Sequence, residues 1–143
     1  MAKQRLCFED VEVGDEAPAM THILTRTDLV RYAGASGDYN PMHHDDTLAK
    51  QAGQPSVFGH GMFSMGFLAT ALTSYVGVES LIRYNVRFRS QTWPGEQLTT
   101  RVVVTAKRTD GARSIVDMEC SLANADGELK VIGEACALLA SRT

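Results

Sequence analysis

The chain has 143 residues, 44% of them hydrophobic and 22% charged, with a net charge of −3. That length predicts one domain over residues 1–143 and that composition an ordered globular one, not a disordered tail or linker. Acidic and basic residues are mixed along the chain, so no lysine/arginine stripe points to nucleic acid, and no run reaches the ~20 apolar residues of a membrane span.

The N-terminal run Met1-Ala2-Lys3-Gln4-Arg5, followed by Phe8-Glu9-Asp10, lacks the apolar core of a secretory signal. Cys7, Cys120 and Cys136 are odd in number and have no CxxC spacing, which predicts core thiols in a reducing compartment and a cytoplasmic protein. Leu24-Thr25-Arg26-Thr27-Asp28-Leu29 carries a capping box, Thr25 with Asp28, and a hydrophobic staple, Leu24 with Leu29. A helix is predicted from Arg26 to Ala33, stopping at Gly34. Residues 34–45 form a loop rich in Gly, Asp, Asn and Pro. A short helix from Thr47 to Ala52 follows, with Asp46 as its cap and Gly53 as its stop. The stretch after His60, from Gly61 to Val76, carries no charge at all. A helix without a polar face must be buried nearly all round. Its Gly66, Ala69 and Ala71 allow close backbone approach, and Gly77 ends it.

The hydrophobic period then changes from 3.6 to 2. Ile82, Tyr84, Val86 and Phe88 alternate with Arg83, Asn85, Arg87 and Arg89, and Val116, Met118, Cys120 and Leu122 alternate with Asp117, Glu119 and Ser121. Residues 98–107 and 129–140 read as further strands. Asp110-Gly111 and Asp126-Gly127 supply hairpin turns, so a consecutive four-strand antiparallel meander is predicted. The architecture is α+β, an antiparallel curved sheet wrapped around a long central helix. It leaves a sheet edge and an apolar flank to bury against a second copy, so a dimer is expected.

The loop Asp38-Tyr39-Asn40-Pro41-Met42-His43 concentrates chemistry. Pro41 fixes its own φ and biases Asn40 toward extended backbone, holding Asp38 and His43 on a short, stiff segment. A carboxylate and an imidazole converging on one point suit water addition to an activated double bond: one takes a proton from water while the other gives one to the α-carbon. Asn40 can hydrogen-bond the carboxylate or the loop backbone. Taken alone, the same composition also describes an ordinary turn. His44, Asp45 and Asp46 read as solvated loop and helix cap. A metal site from Asp38, His43, His44 and Asp45 finds no HExxH or CxxC spacing to support it, and no metal or cofactor is expected.

Asp38-Tyr39-Asn40-Pro41-Met42-His43 resembles the hydratase motif Asp-x-Asn-Pro-x-His of the MaoC-like (R)-specific enoyl-CoA hydratases and (3R)-hydroxyacyl-thioester dehydratases. His60-Gly61-Met62 is similar to the family's His-Gly-Met at the start of the central helix. Tyr84-Asn85-Val86-Arg87-Phe88 and Pro94-Gly95-Glu96 resemble its interface strand and the turn that follows. The likeness covers about residues 8 to 140, and the Tyr-Asn-Val-Arg-Phe run is shared with the catalytic β subunit of the dehydratase of mycolic-acid elongation. The resemblance implies a hotdog fold, a dimer with itself or with a homologous hotdog subunit, and Asp38 and His43 as the acid/base pair. It departs from the pattern at Ala69, where some single-domain hydratases carry a serine that contacts substrate.

In that frame the Gly61 amide, at a helix N-terminus, is aimed to stabilise the thioester oxygen as it turns enolate-like. His60 reads as a structural residue at the turn. Met62 and Phe63, with Met65, Phe67 and Leu68, are core or the wall of an acyl tunnel. Arg87 and Arg89, with Arg83, are a solvated face or the contacts for CoA or carrier-protein phosphates. The expected partner is therefore an acyl-CoA or acyl-carrier-protein thioester. Two other functions compete. A hotdog thioesterase would want a carboxylate or nucleophile on the central helix, and Gly61–Val76 has no Asp or Glu. A non-catalytic acyl-binding partner subunit could lose Asp38 or His43, and the chain keeps both.

Overall fold

A computed structural model describes residues 6–142. The capping box forms: Thr25 Oγ1 accepts from the Asp28 amide at 3.1 Å and Asp28 Oδ2 accepts from the Thr25 amide at 2.8 Å. The helix it opens, α1 (Arg26–Ser36), runs through Gly34, whose φ stays negative, and ends at Gly37 with φ 76. Either glycine could have stopped it, but only Gly37 takes the left-handed conformation that closes a helix. The cap of α2 (Asp46–Gln51) is Asp45, one residue earlier than expected, with its Oδ1 accepting from the Thr47 and Leu48 amides. Asp46 is thereby free to accept from the Val57 amide at 3.0 Å and to pair with Arg26 at 2.9 Å. Helix α3 (Gly61–Val76) has the predicted bounds and stops at Gly77, φ 94.

The described residues form five strands, β1 (Thr21–Ile23), β2 (Leu81–Phe88), β3 (Gln97–Asp110), β4 (Arg113–Ala123) and β5 (Leu129–Leu139), in the spatial order β1-β3-β4-β5-β2 and antiparallel throughout. Only β3, β4 and β5 form a meander, through the Gly111-Ala112 turn and a turn closed by the Gly127 amide on the Asn124 carbonyl. The expected four-strand order is corrected at β2, which pairs with β5 rather than with β3. The loop from Phe88 to Gln97 is too long for a tight hairpin and carries the chain across the sheet to β3. Short β1, absent from the sequence reading, covers the other side of β3.

One sheet face carries Val102, Val104, Met118, Leu122, Val131 and Ala135, all nearly inaccessible, against Leu68, Leu72 and Val76 of α3. Burying each valine, leucine or methionine among them contributes about 1.5–3 kcal/mol. The Tyr84 hydroxyl donates to the Met65 carbonyl at 2.9 Å, fastening β2 to the helix. Within this chain α3 is not buried all round: Met62, Gly66, Thr70 and Ser74, one i, i+4 stripe, are exposed, and a Cβ on Gly66 would meet nothing within 4 Å. On β2, Ile82 and Phe88 are also open, at 47% and 52% exposure. The expectation of a helix buried nearly all round therefore fails for a single copy, while the open side of β2 matches the expected uncovered flank.

Candidate active site

The Asp38–His43 segment is built from local hydrogen bonds. Asp38 follows the Gly37 cap, and its Oδ1 accepts from the Asn40 amide at 3.2 Å. The Asn40 side chain accepts from the Met42 amide at 3.1 Å, capping the 3-10 turn Pro41–His43. Asn40 therefore touches both carboxylate and loop, through its main chain and its side chain respectively. Asp38 Oδ2 lies 3.8 Å from His43 Nε2, beyond direct hydrogen-bond reach, with the carboxylate half-exposed and the imidazole buried. His43 Nδ1 sits 2.7 Å from the Phe58 carbonyl. A carbonyl only accepts, so Nδ1 carries a proton and Nε2 is the ring nitrogen that faces Asp38.

His60 packs against this pair. It is 2% exposed, its ring stacks on His43 with centroids 3.8 Å apart, and its Nε2 donates to the Asp38 carbonyl at 3.1 Å. Burial holds the His60 pKa below the ordinary histidine value; the hydrogen bond to Asp38 opposes this and the neighbouring His43 adds to it. Its Nδ1 has no partner. Donor atoms of Asp38, His43 and His60 lie within 4.8 Å of one another. The two rings are stacked 28° from parallel, however, so their in-plane lone pairs run side by side and do not converge on one ion. His60 also immediately precedes α3. The Phe63 and Ser64 amides bond back to its carbonyl, whereas those of Gly61 and Met62 have no backbone acceptor among the described residues.

A cavity of about 330 Å3 opens beside Gly61, walled by Phe58, Phe88, Arg89, Thr92 and Val131. Phe88 lies against Gly61 so closely that a Cβ there would come within 3.2 Å of its ring.

Residues 11–124 match the MaoC like domain family. The chain belongs to that family. An (R)-specific enoyl-CoA hydratase of Rhodospirillum rubrum is 26% identical over 137 residues, covering 94% of this MaoC-like chain and 92% of that protein. The 3-hydroxyacyl-thioester dehydratase Y of Mycobacterium tuberculosis is 33% identical over 113 residues, 76% of this chain but 37% of that one. The unliganded R-hydratase PhaJ1 of Pseudomonas aeruginosa superposes with a TM-score of 0.85 at 25% identity, covering 96% of this chain and 88% of that structure. The sheet wrapped on α3 is thus the hotdog fold that the resemblance implied.

The remaining sequence-derived residues of the MaoC-like chain separate. Arg89 lines the Gly61 cavity. Arg87, paired across the sheet with Ile132, faces away from α3 into a groove of about 800 Å3 that Arg101 and Glu119 also line. Phe63 is half-buried edge-on to Tyr32, Met62 is 56% exposed on the open stripe, and Leu68 is wholly core. His44 bonds to the Tyr39 carbonyl, away from the pair. Sequence reading overlooked His60 as a partner of His43 and the Phe58 carbonyl as its anchor, since only tertiary packing brings residues 58–60 onto the loop.

Proposed function

We infer that this MaoC-like chain is a hydro-lyase of acyl thioesters: it hydrates trans-2-enoyl thioesters, or dehydrates (3R)-hydroxyacyl thioesters, with Asp38 and His43 as its acid/base pair. The observation that carries the reading is the meeting of the Asp38 carboxyl group and His43 Nε2 across 3.8 Å, beside the unpaired amides that open α3. That gap is too wide for the two to satisfy each other and wide enough for both to address a third group. One proton serves the pair. In hydration one member takes a proton from water as its oxygen bonds to the β-carbon, and the other delivers a proton to the α-carbon; dehydration reverses both transfers. The Gly61 amide, aided by the positive end of α3, meets the thioester oxygen, whose charge grows between the two proton transfers.

The substrate is a CoA or acyl-carrier-protein thioester, with Arg89 at the Gly61 cavity as the nearest cation for its phosphate. The chain works as one domain and as a hotdog dimer, with itself or with a homologous subunit, in the reducing cytoplasm. The unpaired edge of β2, the exposed Ile82 and Phe88 and the open stripe on α3 support the dimer. No helix among the described residues is long and apolar enough to cross a membrane. The test is loss of the conjugated thioester absorbance of crotonyl-CoA and longer enoyl-CoAs with the purified protein. Asp38→Asn and His43→Gln should each lower kcat at least ~100-fold with folding little changed. An Asp38→Asn chain within a few-fold of the unaltered kcat refutes the pair.

A further inference from the structure

Beyond Asp38, His43 and Gly61, one residue touches all three. His60 donates from Nε2 to the Asp38 carbonyl at 3.1 Å, lays its ring on that of His43 at 3.8 Å, and is the residue from which Gly61 and α3 begin. It is 2% exposed, so water reaches almost none of it, and Tyr32 closes a further side with ring centroids 4.9 Å apart. Its Nδ1 is sealed and unpartnered. A buried polar atom without a partner costs stability, so a residue chosen for folding alone at this position would be apolar. The stack also keeps His43 next to a neutral ring, because burial and the neighbouring imidazole both oppose a charge on His60.

We propose that His60 is a positioning residue that holds the Asp38 main chain and the His43 ring in register with the Gly61 amide. This rests on the hydratase reading for its effect on turnover, but its geometric part does not. The Nε2 donor fixes where the Asp38 carboxylate starts, and the ring face limits how far the His43 ring can tilt about its bond to Phe58. Neither contact reaches substrate.

Three variants separate the roles. His60→Gln keeps an N–H near the place of Nε2, His60→Asn is too short to reach the Asp38 carbonyl, and His60→Phe keeps a ring without the donor or the orphaned Nδ1. With crotonyl-CoA, the Phe and Asn variants should lose about 100-fold in kcat, the order expected for a misplacement of about 1 Å, with KM changed less than about threefold. The Gln variant should recover at least about tenfold of that loss. The Phe variant should melt no lower than the unaltered chain, an outcome that a purely structural role does not produce. Without any substrate, amide hydrogen exchange at Asn40 and Met42, whose amides bond to Asp38 Oδ1 and Asn40 Oδ1, should quicken in the Asn variant and return toward normal in the Gln variant. Equal kcat in the Gln and Asn variants, or exchange at Asn40 and Met42 unchanged in both, overturns the proposal. An unaltered chain that turns over no enoyl thioester refutes the hydratase reading instead, and the exchange comparison still decides the positioning.

Discussion

Lys130 is wholly buried, and its charge is met by Glu96 Oε1 at 2.9 Å, Glu128 Oε2 at 2.6 Å and the Gln91 carbonyl at 2.9 Å. The two carboxylates hold its ammonium charged against the burial that disfavours it. Lys130→Met removes the cation and leaves both acids. Breaking a buried pair by deleting one partner costs about 3–5 kcal/mol when the survivor is stranded. Here Glu96 keeps the Trp93 amide at 2.8 Å and the Asn124 side chain at 3.0 Å, and Glu128 turns to water. The expected cost therefore falls to about 2–3 kcal/mol. At about 2–4 °C per kcal/mol for a chain near this size, Tm should drop by about 4–12 °C. The loss should extend to turnover, because the freed Gln91–Glu96 segment carries the Thr92 carbonyl that binds the Gly59 amide at 2.8 Å, and Phe58 beside it anchors His43. Urea unfolding at one fixed protein concentration is the assay, with Glu128→Gln, which leaves Glu96 and the Gln91 carbonyl on the ammonium, expected to shift the midpoint less than Lys130→Met. A Lys130→Met chain as stable as the original, or a Glu128→Gln chain equally destabilised, refutes this account of the network.

Gly61→Val should lower kcat by about 100-fold or more while shifting Tm little, since the atoms nearest its Cβ belong to the half-exposed Phe88 ring, which can give, while its methyls crowd the oxyanion position; a crystal structure with an unreactive enoyl-thioester analogue must place the carbonyl oxygen within hydrogen-bond distance of the Gly61 amide. Gly133→Ala should destabilise by more than the usual about 1–3 kcal/mol of overpacking, because its Cβ would overlap the Asn85 carbonyl and force β2 off β5; far-UV spectra and melting of the variant check this, and unchanged Tm contradicts it. The third expectation concerns pH. Burial holds the His60 pKa below the ordinary histidine value of about 6.5, so below that pH the unfolded chain binds a proton that the buried ring refuses. Its contribution is fully present above about pH 6.5 and is lost as pH falls toward the folded pKa. Comparing urea midpoints of the original chain and His60→Phe from about pH 7.5 to about pH 5.5 should show a steeper acid-side loss in the original; parallel curves would show that the ring charges freely.

Features encoded by near neighbours were legible in the sequence. The Thr25/Asp28 box spans four residues, and the uncharged run at Gly61–Val76 and the glycines at 111 and 127 declare themselves locally. The stop at Gly37 rather than Gly34, and the cap at Asp45 rather than Asp46, each turned on a choice between equivalent residues; for the cap distant contacts decide it, because Asp46 is held by Arg26 and Val57. The edge position of β2 was hidden because alternation reports which face of a strand is buried and not which strand lies beside it. At the candidate site, the motif residues were visible as a group, while the parts that orient them came from residues 58 and 60, joined to the loop only by packing. The burial of Lys130 is not legible from its neighbours in sequence, since Glu96 and the Gln91 carbonyl reach it only through the fold.

The place of β2 also sets the order in which the chain can become stable. β2 leaves α3 with its hydrogen-bonding edge directed at β5, the last strand to be synthesised. Until β5 arrives, β2 has no partner within the chain and the sheet under α3 lacks the strand that joins β2 to β4. Pairing of this range is slow because loop closure precedes its reward. A nascent or truncated chain lacking β5 would thus present an uncharged helix and an open strand edge together, the combination most prone to self-association. Ribosome-bound chains ending before Leu129 should therefore recruit a chaperone, and those extending past Leu139 should release it.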